Sequence, residues 1–128
     1  MHYLVIVTGS VYGTENSSTA FLFCKEVVHS GHKLHSVFFY FSGVLNANRM
    51  VFPAIDECNL VKSWSNFSIK FKIKLNVCIS AASRRGVISD ENALRLGMPV
   101  GNLNNSFKLI GLSGLSEAIY MCDRIIQF

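Results

Sequence analysis

Lys74-Leu-Asn-Val-Cys-Ile-Ser-Ala-Ala-Ser-Arg-Arg-Gly86 opens with a period of two and then loses it. Leu75, Val77 and Ile79 alternate with Asn76, Cys78 and Ser80, which is the pattern of a strand. Ala81, Ala82 and Ser83 are small, and Arg84 and Arg85 precede a glycine, so a short helical turn is expected next. Cys78 then sits at the carboxyl end of a strand, the edge of an open parallel sheet where ligands and chemistry collect. Helix-terminal N–H groups carry partial positive charge, and the two arginines add full charges nearby. Positive potential favours a thiolate over a thiol. The stretch points to a reactive sulfur, and that reading requires an opening through which a partner reaches it.

Outward from this stretch, strands and helices alternate. Tyr3 to Val7 is a continuous apolar run, as expected of a strand buried on both faces. Thr8-Gly-Ser-Val-Tyr-Gly-Thr14 follows as a loop, and Ser17 or Ser18 is placed to cap the next helix. There Ala20, Phe23, Cys24 and Val27 fall on one stripe, with Gly31 closing the helix. His32 to Phe41 reads as the second strand and Ser42 to Arg49 as a loop. Leu60, Val61, Trp64 and Phe67 give a second helical stripe. Ser89-Asp-Glu-Asn92 starts a short helix with Ala93, Leu94 and Leu96 as its apolar residues, ended by Gly97 and Pro99. Phe107 to Ile110 is a fourth strand. Ser113 is expected to cap a helix carrying Leu115, Ala118, Ile119 and Cys122, and Arg124 to Phe128 is the last strand. Such alternation implies an α/β fold with a parallel sheet covered on both sides.

The 128 residues fit one domain, 1–128. Half are hydrophobic, with ten Phe and four Tyr, more apolar surface than one small core needs, so subunit contacts are expected. No apolar run approaches the roughly 20 residues of a spanning helix, so no membrane role is expected. The amino terminus reads as a strand and not a signal peptide, which implies a cytoplasmic setting where structural disulfides are rare. The formal charge is +4. That permits an acidic protein partner or a passing RNA, but it is not the dense basic footprint of a nucleic-acid reader.

Among the four cysteines, Cys24 and Cys122 lie on core stripes. Cys58 follows Asp56 and Glu57, whose carboxylates oppose a thiolate. Cys78 alone combines a strand-to-helix junction with basic residues behind it. His29, His32 and His35 straddle a helix end, and the last two point to opposite faces of a strand, so no metal site is expected. No C-x-x-C pair supports zinc or thioredoxin-type chemistry. The Thr8–Thr14 loop superficially resembles the phosphate loop of flavodoxins. It is neither G-x-G-x-x-G nor a Walker loop, and a plain tight turn is the simpler reading.

Several uncommon strings then occur in one order. They are Val7-Thr-Gly9 with Tyr12-Gly-Thr14, Ser36-Val-Phe-Phe-Tyr40, Gly43-Val44, Asn46-Ala-Asn48, Asp56-Glu57, Arg84-Arg-Gly-Val87 and Cys122-Asp-Arg-Ile-Ile-Gln-Phe128. Together they resemble, from end to end, the cysteine-bearing subunits of the DsrE-like sulfurtransferase family. The resemblance implies a three-layer α/β/α fold with a five-stranded, mainly parallel sheet, and it makes Cys78 the sulfur-carrying catalytic residue. It implies a heterohexamer with TusB-like and TusC-like subunits. A TusA-like donor would supply a persulfide sulfur and a TusE-like acceptor would take it, for 2-thiouridine synthesis at the tRNA wobble position. The tRNA is then an indirect partner, and no metal or organic cofactor is implied. Ser83 departs from the family, where a larger apolar residue is expected behind Cys78. The alternatives are a non-catalytic structural subunit of such a complex and a flavodoxin-like FMN binder.

Overall fold

The computed structural model describes all 128 residues. Along the chain come β1 (His2–Val7), α1 (Asn16–His29), β2 (Lys33–Phe39), a 3-10 segment (Phe41–Ala47), α2 (Leu60–Phe71) and β3 (Lys74–Cys78). They are followed by α3 (Ile79–Arg84), α4 (Asp90–Arg95), β4 (Phe107–Ile110), α5 (Leu112–Met121) and β5 (Arg124–Gln127). The strands form one sheet in the order β4-β3-β2-β1-β5, and every pairing is parallel. Five expected strands are five observed strands.

Register decides which side chains meet. Val5, Val37, Leu75 and Phe107 are paired across four strands, as are Val7, Phe39, Val77 and Leu109. These rows form the face covered by α1 and α2. Ala20, Cys24 and Val27 of α1, and Leu60, Val61, Trp64 and Phe67 of α2, are buried there. Trp64 stands edge-on to Phe39 at 5.2 Å and to Phe21 at 5.0 Å between ring centroids, a geometry worth about 0.5–1.5 kcal/mol per pair beyond area burial.

The opposite face is less complete than the alternation implied. α5 packs over β1 and β2. α3 and α4 have six residues each, and α3 packs on the 3-10 segment. The outer surface of β3 and β4 therefore stays open beside α5, with Lys74 and Lys108 exposed and Asn76 half-buried.

Several local expectations need correction. The second strand stops at Phe39, because Phe41 adopts a left-handed φ of 48° and turns the chain into the 3-10 segment, which replaces the expected loop. Ser17 does not cap α1. Glu15 holds that position, and Ser17 is buried. Gly111, not Ser113, precedes the first turn of α5. Asn59 and Ser89 do cap, accepting hydrogen bonds from the backbone N–H groups of Lys62 and Asn92, each at 3.2 Å. Leu94 and Leu96 face solvent, and only Ala93 of that trio is buried. Gly43 is required by a close approach: a Cβ there would lie 1.9 Å from the Val7 carbonyl oxygen.

Candidate functional site

Cys78 is the last residue of β3 and occupies the N-cap position of α3, with extended φ and ψ of −63° and 121°. The segment does pass from strand to helical turn, but earlier than the alternation implied: Ile79 and Ser80 belong to α3 and not to the strand. Val77 pairs with Phe39 on one side, and Cys78 pairs with Ile110 on the other. The sulfur thus belongs to the carboxyl edge of the sheet. The left-handed Phe41 lies just past β2 on the same edge. An aromatic residue in that region is a true backbone outlier, of the kind that costs about 1–3 kcal/mol and persists only where its surroundings impose it. Tyr40 stands edge-on to Phe41 at 4.3 Å and is tied to β1 by a 2.9 Å bond from its N–H to the Val7 carbonyl.

The sulfur itself is covered. Cys78 is 2% exposed, and its Sγ lies 3.5 Å from Ser80 Oγ. The cover is thin, because Ile79 and Ser80, the next two residues, are exposed, while Ala81 and Ala82 are buried beneath them. The opening that the sequence reading requires is thus closed in this state. Arg84 and Arg85 lie at the far end of α3, about 9 Å of helix from the sulfur at 1.5 Å per residue. Arg85 donates to the Ala81 carbonyl at 3.2 Å, satisfying the end of its own helix. Ser83 is exposed and so does not pack behind Cys78.

The remaining thiols separate cleanly. Cys24 is wholly buried, and burial drives its thiol far above the ordinary range. Cys122 is half-buried and also raised, first by desolvation and then by Asp123. Cys58 is exposed, with Sγ 3.8 Å from Ser63 Oγ. His32 packs against Tyr3 with the rings tilted by 58°, His35 is the extra residue where the β1–β2 register shifts, and His29 sits beside Phe71. The structure does not bring the three together.

A polar core behind the site went unread in the sequence. Asn46 is fully buried in the 3-10 segment and donates to the Gly9 carbonyl at 3.1 Å and the Gly43 carbonyl at 2.8 Å. Its amide oxygen accepts from Ser17 Oγ, which accepts in turn from Trp64 Nε1 at 3.3 Å. One side chain thereby joins the Thr8–Thr14 loop, the 3-10 segment, α1 and α2. The same loop is tied down again by Tyr12, whose hydroxyl donates to the Cys58 carbonyl. A Cβ at Gly9 would strike Asn16 Cβ at 2.5 Å, so the turn is packed tightly against the start of α1.

An all-parallel five-stranded α/β sheet with a cysteine at the junction of its third strand and a short helix defines a recognisable class. The chain belongs to the DsrE/DsrF-like family, which it matches over residues 1–128. It is similar to the sulfurtransferase TusD of Buchnera aphidicola subsp. Acyrthosiphon pisum, strains 5A and APS. Identity to each is 56% over 128 residues, covering all of both chains. The sulfurtransferase TusD of Buchnera aphidicola subsp. Schizaphis graminum is 52% identical over the same full length. Among solved structures, the crystal structure of the ychN protein from E. coli superposes with a TM-score of 0.77, covering 100% of both chains at 17% identity. That likeness bears out the fold.

Proposed function

We propose that this chain is a single-domain sulfurtransferase that carries sulfur as a persulfide on Cys78. The observation that carries the reading is the position of Cys78, the terminal residue of β3 and the residue before α3, in a chain 56% identical to proteins named sulfurtransferase TusD. In the first step the Cys78 thiolate attacks the outer sulfur of a donor persulfide. A new S–S bond forms at Cys78, the donor's S–S bond breaks, and the donor thiolate leaves and takes up the proton Cys78 gave up. In the second step an acceptor thiolate attacks the outer sulfur on Cys78, and Cys78 is the leaving thiolate. Each step is a thiol–disulfide type exchange governed by nucleophile, leaving group and access. Because Cys78 is covered, access requires local opening of the first turn of α3. Ile79 and Ser80 already lie at the surface there.

The finer reading places the chain in a cytoplasmic heterohexamer with TusB-like and TusC-like subunits. It takes sulfur from a TusA-like donor and passes it to a TusE-like acceptor for wobble 2-thiouridine in tRNA. The resemblance and the shared length with the TusD proteins support it. The exposed apolar side chains of Phe52, Ile55 and Tyr120 are consistent with subunit contacts.

Intact-protein mass spectrometry after incubation with a persulfide-loaded donor tests the assignment. Cys24→Ser and Cys122→Ser variants gain sulfur as the parent does, and Cys78→Ser gains none. A Cys58→Ser background removes the one exposed competing thiol. A mass gain that survives Cys78→Ser overturns the assignment.

A further inference from the structure

The open surface of β3 and β4 is a groove of about 480 Å³ bounded on its far side by α5. Strand alternation puts Lys74, Asn76 and Cys78 on one face of β3. Lys108 is paired with Asn76, and Ile110 with Cys78. Lys74, Asn76, Lys108 and Ile110 all line the groove. The groove therefore runs up the strands to the residue directly beside the sulfur-bearing one. From Lys74 to Cys78 is four residues, about 13 Å at the rise of a strand. That is the length an extended segment of about four residues spans.

Its charge is one-sided. Neither Lys74 nor Lys108 has an ion-pair partner, since the ion pairs of the molecule are Arg49–Asp90 and Arg95–Glu91. Glu117 is the single acid in the lining. A second depression of about 510 Å³ shares His35, Lys74 and Met121 with the first and adds Lys33 and Lys72. His35 lies where the two depressions meet, and its imidazole is held below the usual range first by desolvation and then by Lys74, Lys33 and His2. Ile110, Ala118 and Met121 supply an apolar wall. The lining is thus cationic along the strands and apolar against α5.

We propose that this groove seats an extended acidic segment of the protein that exchanges sulfur with Cys78, and delivers that protein's cysteine to the Ile110 end. The proposal rests on Cys78 being the sulfur carrier. An occupant that ends beside a thiol and exchanges persulfide sulfur with it must itself present a thiol or persulfide, which a cysteine-bearing polypeptide supplies and an unmodified nucleic acid does not. Rim charges of this kind act chiefly on partner choice and association rate.

The test uses the full chain in the Cys58→Ser background, which removes the exposed competing thiol, and a short Asp/Glu-rich peptide whose single terminal cysteine is activated as a 2-thiopyridyl mixed disulfide. Attack by the Cys78 thiolate on the peptide sulfur forms the protein–peptide disulfide and expels the pyridinethiolate, which is followed by its absorbance. Rates are expressed relative to a neutral small disulfide. At low salt the acidic peptide is expected to react about tenfold faster than a Ser/Gly peptide of equal length. The advantage is lost in Lys74→Glu/Lys108→Glu and at high salt. In parallel, fluorescence anisotropy of the unactivated peptide on Cys78→Ser protein reads the groove without the thiol. Binding there that vanishes in Cys78→Ser/Lys74→Glu/Lys108→Glu supports the groove even if Cys78 accepts no persulfide. The proposal is overturned if the charge-reversed protein keeps the preference or if the acidic peptide fails to bind Cys78→Ser protein. It is also overturned if a single-stranded RNA oligonucleotide binds in the peptide's place, or if charge reversal dissociates an assembly of copies joined through this face.

Discussion

Replacing Asn46 by alanine removes three hydrogen bonds at once, those to the Gly9 and Gly43 carbonyls and the one from Ser17. At a net contribution of about 1 kcal/mol each, the direct loss is about 3 kcal/mol. The groups left behind are buried, and an unsatisfied buried group costs about 1–3 kcal/mol. A total of about 4 kcal/mol follows, a large share of the roughly 5–15 kcal/mol typical of a domain. Urea unfolding at fixed protomer concentration reads it. With a slope of about 1.5 kcal/mol/M, the midpoint falls by more than 2 M. Ser17→Ala removes the shared donor and the acceptor for Trp64, so the double variant loses about 1 kcal/mol less than the two singles added together. A midpoint shift below about 0.5 M, or strict additivity, refutes the claim that one connected network holds these four segments. The same variant loosens the 3-10 segment against which α3 packs, so labelling of Cys78 by a small thiol reagent is expected to accelerate.

Gly43→Ala should be among the most damaging single-methyl changes in the chain. The added carbon would meet the Val7 backbone, not a movable side chain, and the expected outcome is a loss of soluble protein or of more than about 3 kcal/mol by urea titration. Cys24 gives a pH test. Burial raises its thiol in the folded state, so its contribution is intact below the unfolded thiol's range near pH 8.5. It is lost as pH rises above that range, because only the unfolded chain then gives up the proton. Measured as the difference between parent and Cys24→Ala, stability should fall by about 1.4 kcal/mol per pH unit above about pH 9. A flat difference across that range would contradict the burial.

The parts of this fold legible in the sequence were those with a period. Leu75, Val77 and the apolar β1 run announced strands, and the stripe of Leu60, Val61, Trp64 and Phe67 announced α2, because burial on one face imposes a repeat. The strand that carries Cys78 was legible for the same reason, although the alternation runs on to Ser80 while the strand ends at Cys78 and Ile79 begins α3. The polar core was not. Ser17 reads locally as a helix cap, and Asn46 reads as a loop residue. Both became buried because Phe41 turns the chain left-handed and brings Gly9 and Gly43 carbonyls to one place, a tertiary event that no local pattern records. The groove was hidden for another reason. Lys74 and Lys108 are far apart in sequence, and only the β3–β4 register sets Lys108 beside Asn76, with Lys74 two residues earlier on that same strand face.

If Cys78 carries sulfur as proposed, the cover over it gives the relay selectivity. A persulfide left open to solvent would exchange with any small thiol, because the reaction needs only a thiolate and access. Covering Cys78 with one helical turn makes access depend on what opens that turn. A helix of six residues is far below the length that is stable alone, so α3 persists through packing, and that packing is concentrated at Ala81 and Ala82. The first turn leaves Ile79 43% exposed and Ser80 exposed, and partly exposed turns of this kind open at lower free energy than the core. Each 1.4 kcal/mol of opening cost lowers the rate with an undirected reagent tenfold, whereas a partner held in the adjoining groove, as proposed, would offset that cost with its own binding. Arg84 and Arg85 lie at the opposite end of α3, so under the proposed relay the cover over Cys78 and the charge of the partner, more than these guanidinium groups, would set which thiols exchange with it.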